Sequence, residues 1–231
     1  MAYEKDGIEY PRCTEIISDC TNKSGGLVQW AANQAVEWIR DNCDEVQESD
    51  SDAPLYLLSK EDLELARFAY KDTSKTALDV GSQVHQAIED FLSNKQAVLT
   101  SEQAEKAFEA FLDWKAKNKL EPIALEQTVY GDRWAGTLDY YGYYKGKLCV
   151  IDWKTSKAFY PEMRYQVAAY RSCTDGVEGC GVLMLDKETG MPKFHDTSKT
   201  YVQDLKVFNA MVELYYLRHP RIRKRFEKEG K

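Results

Sequence analysis

The spacing of apolar side chains changes character once along the chain, at Glu121-Pro122. Before that point apolar residues recur every three or four positions, as on one face of a helix. Leu27, Trp30, Ala31, Val36 and Ile39 predict an amphipathic helix over 27–40. Ser59 is placed to cap a helix reaching about Tyr70, with Leu65, Phe68 and Ala69 on its inner face. Leu78, Gly81, His85, Ile88 and Leu92 predict another over 76–92, and Ser101 opens one to Lys117 through Ala104, Phe108, Phe111, Leu112 and Trp114. A shorter helical pattern follows Pro11 through Ile16 and Ile17, and residues 41–54 read as an acidic, polar loop.

After Glu121-Pro122 the pattern shortens to strands over 123–130, 136–144 and 147–153. Gly142 interrupts the second near its end, and Tyr144-Lys145-Gly146-Lys147 reads as the hairpin turn joining it to the third. Pro161 opens a helix through Met163, Val167, Ala168 and Tyr170. A buried strand follows over 181–185, then a last helix over 198–217 with Val207, Met211, Leu214 and Tyr215 on one face, and a basic tail after Pro220. Strand, strand, strand, helix, strand, helix predicts an α/β core, behind an N-terminal helical layer.

The 231 residues suffice for one large domain or a core with an added subdomain. The net charge of −7 argues against a nucleic-acid partner until its distribution is read. Residues 1–120 hold 13 basic and 23 acidic side chains, a net −10; residues 121–231 hold 18 and 15, a net +3. A basic groove in the second half can act apart from an acidic lobe, since salt screens charge beyond roughly 8–10 Å. No apolar run approaches the roughly 20 residues of a membrane span, and Glu4 and Asp6 stand where a signal segment would be apolar. The expectation is a soluble, cytoplasmic protein with no membrane partner. Cys13, Cys20, Cys43, Cys149, Cys173 and Cys180 form no CxxC pair, so disulfides are not expected, and Cys149 reads as a core residue.

The chemistry centres on Val150-Ile151-Asp152-Trp153-Lys154-Thr155. In a strand Asp152 and Lys154 share one face while Ile151 and Trp153 share the other. Asp139 lies in the preceding strand, so pairing of the two arms brings it near Asp152 at one sheet end. Two carboxylates beside a lysine make an oxygen-rich site suited to Mg²⁺ or Mn²⁺. Gln166 and Tyr170 share a helix face just beyond Lys154. His85 is a plausible metal ligand from the helical half, and Glu126 can join the same polar end. Each residue also has a structural reading: a chance Asp/Lys pair, a half-buried tyrosine, an interior histidine, an exposed glutamate.

As an ordered set, Gly136-Thr137-Leu138-Asp139, Asp152-Trp153-Lys154-Thr155 and Gln166-Val167-Ala168-Ala169-Tyr170 resemble the PD-(D/E)XK nuclease superfamily. With Gly81-Ser82-Gln83-Val84-His85 upstream, the resemblance is to its RecB-type exonuclease branch, which includes many phage exonucleases and the CRISPR-associated adaptation nucleases. It covers about residues 78–186. The resemblance implies a restriction-endonuclease-like core, a mixed central sheet flanked by helices. It implies an N-terminal helical subdomain over 1–75, a nuclease core over 76–217 with a helical insertion at about 93–120, and a basic tail over 218–231. His85, Asp139, Asp152 and the Trp153 carbonyl are implied as ligands of Mg²⁺ or Mn²⁺. Lys154 is implied to activate water or offset phosphate charge, Gln166 and Tyr170 to orient Lys154 or the nucleic-acid backbone, and Glu126 to fill a commonly acidic position. Iron–sulfur members carry three cysteines after the core lysine. Only Cys173 and Cys180 follow Lys154, so no cluster is expected.

The resulting expectation is a metal-dependent DNA exonuclease acting on single strands or DNA ends in replication, recombination or repair. Arg164, Lys157, Arg221, Arg223, Lys224 and Arg225 are candidate phosphate contacts, and Trp134, Phe159 and Tyr160 candidate base-stacking residues. The alternatives are a structure-dependent endonuclease, or a catalytically silent nucleic-acid-binding module of the same fold.

Overall fold

A computed structural model describes residues 3–21, 24–46, 55–222 and 226. In chain order the elements are β1 (Tyr3–Lys5), β2 (Ile8–Tyr10), α1 (Cys13–Cys20), α2 (Ser24–Asn42), β3 (Glu45–Val46), β4 (Leu55–Tyr56), α3 (Lys60–Leu92), α4 (Glu102–Lys117), β5 (Leu120–Tyr130), β6 (Ala135–Tyr144), β7 (Lys147–Lys154), α5 (Pro161–Ser172), β8 (Gly179–Leu185), β9 (Pro192–Asp196) and α6 (Tyr201–Arg218). Met1–Thr21 with Val80–Lys231 form one compact unit, and Asn22–Asp79 form another.

The first unit is a mixed α/β fold, consistent with a restriction-endonuclease-like core. Its sheet runs β5-β6-β7-β8-β9. Every neighbouring pair is antiparallel except β7 and β8, which are parallel. A parallel step needs a crossover, and α5 supplies it. Because strand side chains alternate, the sheet has two buried faces. Cys149, Ile151, Trp153, Leu183 and Leu185 face a core shared with Val80, Val84 and Ile88 of α3 and with Phe108, Phe111 and Trp114 of α4. Val150, Val182 and Met184 face the other core, filled by Cys13 and Ile16 of α1, Val167 and Tyr170 of α5, and Phe208 and Val212 of α6. Trp153 anchors the first core, its ring 5.6 Å from Phe111 and 5.8 Å from Tyr140. The second unit pairs α2 with the first part of α3. The Trp30 and Tyr70 rings meet edge to face at 6.5 Å, and the Thr73 hydroxyl donates to Gln34 Oε1 at 2.7 Å.

Several sequence expectations need correction. The two helices expected to either side of residues 71–75 are one, α3. That stretch has no glycine or proline, and the Thr73 hydroxyl also reaches the Ala69 carbonyl at 3.3 Å, as threonines inside helices do. Ala69 is buried, but Leu65, Phe68 and Leu78 are exposed, as are Leu27 and Val36 of α2. On α6 the buried face is Asp204, Phe208, Val212, Tyr215 and Tyr216 rather than Val207, Met211 and Leu214. Strand β6 continues through Gly142, where the extra residue at Ile123 bulges β5; a Cβ on Gly142 would lie 2.3 Å from the Glu121 carbonyl oxygen. The N-terminal hairpin and β9 were not expected. The acidic stretch at 47–54 lies outside the described residues.

Candidate metal centre and active site

The sheet forks where the acidic residues lie. Strand β6 pairs with β7 only from Tyr144 opposite Lys147 to Tyr140 opposite Ile151, but runs beside β5 as far as Ala135. Asp139 and Asp152 come next across that fork. Alternation also breaks there: Leu138 packs in the core of α1, α5 and α6, while Tyr140, two residues on, packs in the core of α3 and α4. The opposite strand slips at the matching place, since Leu125 joins the core of α3 and α4 and Val129 the other. Between them Glu126 takes φ +46°, a left-handed conformation that costs a non-glycine residue about 1–2 kcal/mol. Together the slips turn Glu126 and Asp139 toward the α3 side of the sheet.

His85 meets them there. It follows Val84, which is fully buried against the sheet, so the imidazole sits half-buried at the edge of the helix contact. Its Nδ1 lies 3.5 Å from Asp139 Oδ1 and 3.9 Å from Glu126 Oε1. Its Nε2 lies 3.0 Å from the Trp153 carbonyl oxygen, an acceptor, so Nε2 carries a proton and Nδ1 faces the acids. Asp139 Oδ2 accepts the Trp153 backbone N–H at 2.7 Å. Burial alone would lower the His85 pKa, but the Asp139 carboxylate and then Glu126 outweigh it and hold the imidazole at about 10. Burial raises the Asp139 pKa, and the His85 charge more than offsets this and brings it below the usual range.

Asp152 occupies the α5 side of the fork. Its Oδ2 is 2.6 Å from Lys154 Nζ, and its Oδ1 accepts from Gln166 Nε2 at 3.2 Å. The same Gln166 amide donates to the Tyr170 hydroxyl at 3.1 Å. Burial lifts the Asp152 pKa despite the ammonium beside it; Lys154, which burial alone would lower, is held up by Asp152 and Asp139. Tyr170 is positioned in turn by Gly136. A Cβ on Gly136 would come within 2.6 Å of the Tyr170 ring, so a glycine here lets the phenol approach the fork.

His85, Glu126 and Asp139 thus offer ligand atoms all within 4.8 Å of one another. Among the described residues this is the group of histidine, cysteine and acidic side chains that converges; Asp152 is not part of it, being engaged by Lys154 and Gln166. The Trp153 carbonyl, implied as a ligand, faces His85 Nε2. The donor set fits a small divalent cation: one imidazole nitrogen and two carboxylates converge. Asp152 Oδ2 is wholly buried, and its close partner is the Lys154 ammonium. The six cysteines are free, and none belongs to this group.

The more distant candidates divide. Trp134 is buried against Phe208 and Tyr170 and is not accessible for stacking. Lys157 pairs with Glu188 at 2.7 Å, and Arg164 with the buried Asp204 at 3.6 Å. Arg221 is exposed; Arg223, Lys224 and Arg225 lie outside the described residues. Among the described residues no helix is long and apolar enough to cross a membrane. Sequence reasoning missed the supporting part of Gly136, whose signal was its place three residues before Asp139.

No protein-family model matches the chain. It is similar to mitochondrial genome maintenance exonuclease 1 of Homo sapiens, 28% identical over 149 residues that cover 56% of this chain and 42% of that protein. It is likewise 28% identical to the Mus musculus counterpart over 145 residues, 56% of this chain and 43% of that one. The match thus spans less than half the length of either curated relative. Among solved structures, an alkaline exonuclease of Laribacter hongkongensis aligns with 81% of this chain and 98% of its own, at a TM-score of 0.31 and 13% identity.

Proposed function

We propose that the chain is a divalent-cation-dependent nuclease of the PD-(D/E)XK superfamily, in its RecB-type branch, hydrolysing DNA phosphodiester bonds as an exonuclease. The observation that carries this reading is the convergence of His85, Glu126 and Asp139 beside the buried Asp152–Lys154 pair. The names of the two curated relatives, both exonucleases, favour DNA ends as the substrate.

In this reading His85 Nδ1, Glu126 and Asp139 hold Mg²⁺ or Mn²⁺, while the Trp153 carbonyl, engaged by His85 Nε2, and Asp152 Oδ2, engaged by Lys154, stand outside that group. When bound, such a cation lowers the pKa of water and offsets phosphoryl charge. Lys154, kept as an ammonium by Asp152, brings positive charge to the phosphoryl oxygens as negative charge grows on them. Gln166 fixes one oxygen of Asp152 and leans on the protonated Tyr170 phenol, so the Asp–Lys pair keeps one orientation. Nothing in this scheme uses an iron–sulfur cluster, which would need four thiolates.

The substrates proposed are single strands and DNA ends, in replication, recombination or repair. Digestion of end-labelled linear single- and double-stranded DNA, beside closed circles, tests this. Linear single strands are expected to be degraded with Mg²⁺ or Mn²⁺ and spared in EDTA, with circles intact. Absence of cleavage with both metals would sink the nuclease reading, and cutting of circles would replace exonuclease by endonuclease.

A further inference from the structure

Strand β9 sets two side chains in line with the candidate site. Asp152 lies opposite Val182 and Lys154 opposite Met184 across β7 and β8. Val182 in turn lies opposite His195, and Met184 opposite Lys193, across β8 and β9. Two rows therefore cross the sheet, Asp152–Val182–His195 and Lys154–Met184–Lys193. Both lie on one face, because the row between them, Trp153, Leu183 and Phe194, packs into the opposite core. At the usual strand spacing, the backbones of His195 and Lys193 stand about 10 Å from those of Asp152 and Lys154.

The loop leaving Lys154 returns to this edge. Phe159 lies flat on the His195 ring, centroids 4.1 Å apart and planes within 4°. Tyr160 follows, 51% exposed, immediately before α5. His195 is half-buried and its ring nitrogens make no hydrogen bond with a described residue. Burial, and then the Lys193 charge, hold its pKa below the ordinary value, so at neutral pH the ring is an uncharged aromatic. Lys193 is exposed and forms no ion pair with a described residue, whereas Lys157 and Arg164 each have a carboxylate.

A flat, uncharged aromatic pair beside an ammonium, in register with a candidate phosphoryl site, suits single-stranded nucleic acid: the rings take a base and the ammonium a phosphate. A base inside a duplex already has both faces covered by its neighbours. We infer that β9 forms the neighbouring-nucleotide subsite of the enzyme, with Lys193 on the phosphate next to the scissile one and the Phe159–His195 stack against an unpaired base. The inference rests on the nuclease reading and narrows its substrate to a strand that is unpaired beside the cut.

Fluorescence anisotropy in EDTA tests it, with a labelled oligothymidylate and a blunt duplex as probes. His195→Ala is expected to weaken oligothymidylate binding roughly tenfold, the loss for one base–aromatic stack, with no change for the duplex. His195→Phe, which keeps an aromatic ring, is expected to retain affinity. Lys193→Ala is expected to weaken binding and to lower the slope of log affinity on log salt by about 0.7. Unchanged binding in both alanine variants, in a protein that binds and cleaves DNA, overturns the subsite and leaves the nuclease reading standing. Equal losses in His195→Phe and His195→Ala overturn the stack. A wild-type protein that neither binds nor cleaves nucleic acid overturns both.

Discussion

Lys154→Ala is expected to lower metal-dependent DNA cleavage by roughly 10²–10³-fold, the usual loss when one preorganised charge at a developing anion is removed. The same substitution strips the cation from Asp152, whose side chain is 1% exposed while that of Lys154 is 24% exposed. Breaking a buried pair on one side costs up to about 3–5 kcal/mol. The cost here falls below that ceiling, because the lysine is partly solvated and because Asp152, already raised by burial, can take up a proton. Melting temperature and activity should therefore fall together in Lys154→Ala. They should part in the double variant Asp152→Asn with Lys154→Met, which leaves no unpaired buried charge: stability recovers and cleavage does not. Single-turnover cleavage and thermal unfolding of the three proteins check this. Full activity in Lys154→Ala would remove the lysine from the chemistry.

The second large effect is a dependence of stability on pH centred on His85. Its pKa is held at about 10 in the folded protein, against an ordinary value of 6.5. A raised pKa means that the folded state binds the proton more tightly. The contribution is complete below about 6.5 and is lost as pH climbs toward 10. In EDTA, wild-type stability should fall over that window by an amount on the order of a few kcal/mol. Asp139, depressed by the same contact, contributes in the opposite sense: its share is present at neutral pH and disappears in acid. His85→Ala should abolish the alkaline slope and also lower stability at pH 6, where two carboxylates are left facing each other. Urea unfolding in EDTA at pH 6 and pH 9 measures both effects. An equal alkaline slope in wild type and His85→Ala would show that the imidazole does not carry this charge.

Much of this arrangement is written in local pattern. The alternation in Lys147–Lys154 sets Ile151 and Trp153 against Asp152 and Lys154, and the two cores confirm the division. The four-residue step from Gln166 to Tyr170 puts both on one helix face, and a hydrogen bond joins them. What local pattern does not contain is the fork. A left-handed glutamate leaves no mark in composition, since Glu126 is no turn former; it sits where β5 passes from one core to the other. For the same reason the sequence sets Asp139 near Asp152 but does not reveal that they turn to different helices, one to His85 and the other to Gln166. Strand β9 is only five residues long and begins at a proline, too little alternation to separate it from a loop. Leu65, Phe68 and Leu78 mislead in the other direction. Their helical spacing is genuine, yet Ala66 and Ala69 form the buried stripe of that part of α3.

Whether His85, Glu126 and Asp139 hold a cation is answered by titrating Mn²⁺ into wild-type protein and into Asp139→Asn, following free Mn²⁺ by electron paramagnetic resonance. Asparagine keeps an oxygen to accept the Trp153 backbone N–H, so the fork should hold while the carboxylate charge is lost. A specific site is expected in the wild type, weakened more than roughly tenfold in the variant, since even residues that merely orient a metal ligand contribute that much. Undiminished Mn²⁺ binding by Asp139→Asn, or no specific binding by the wild type, would rule this site out.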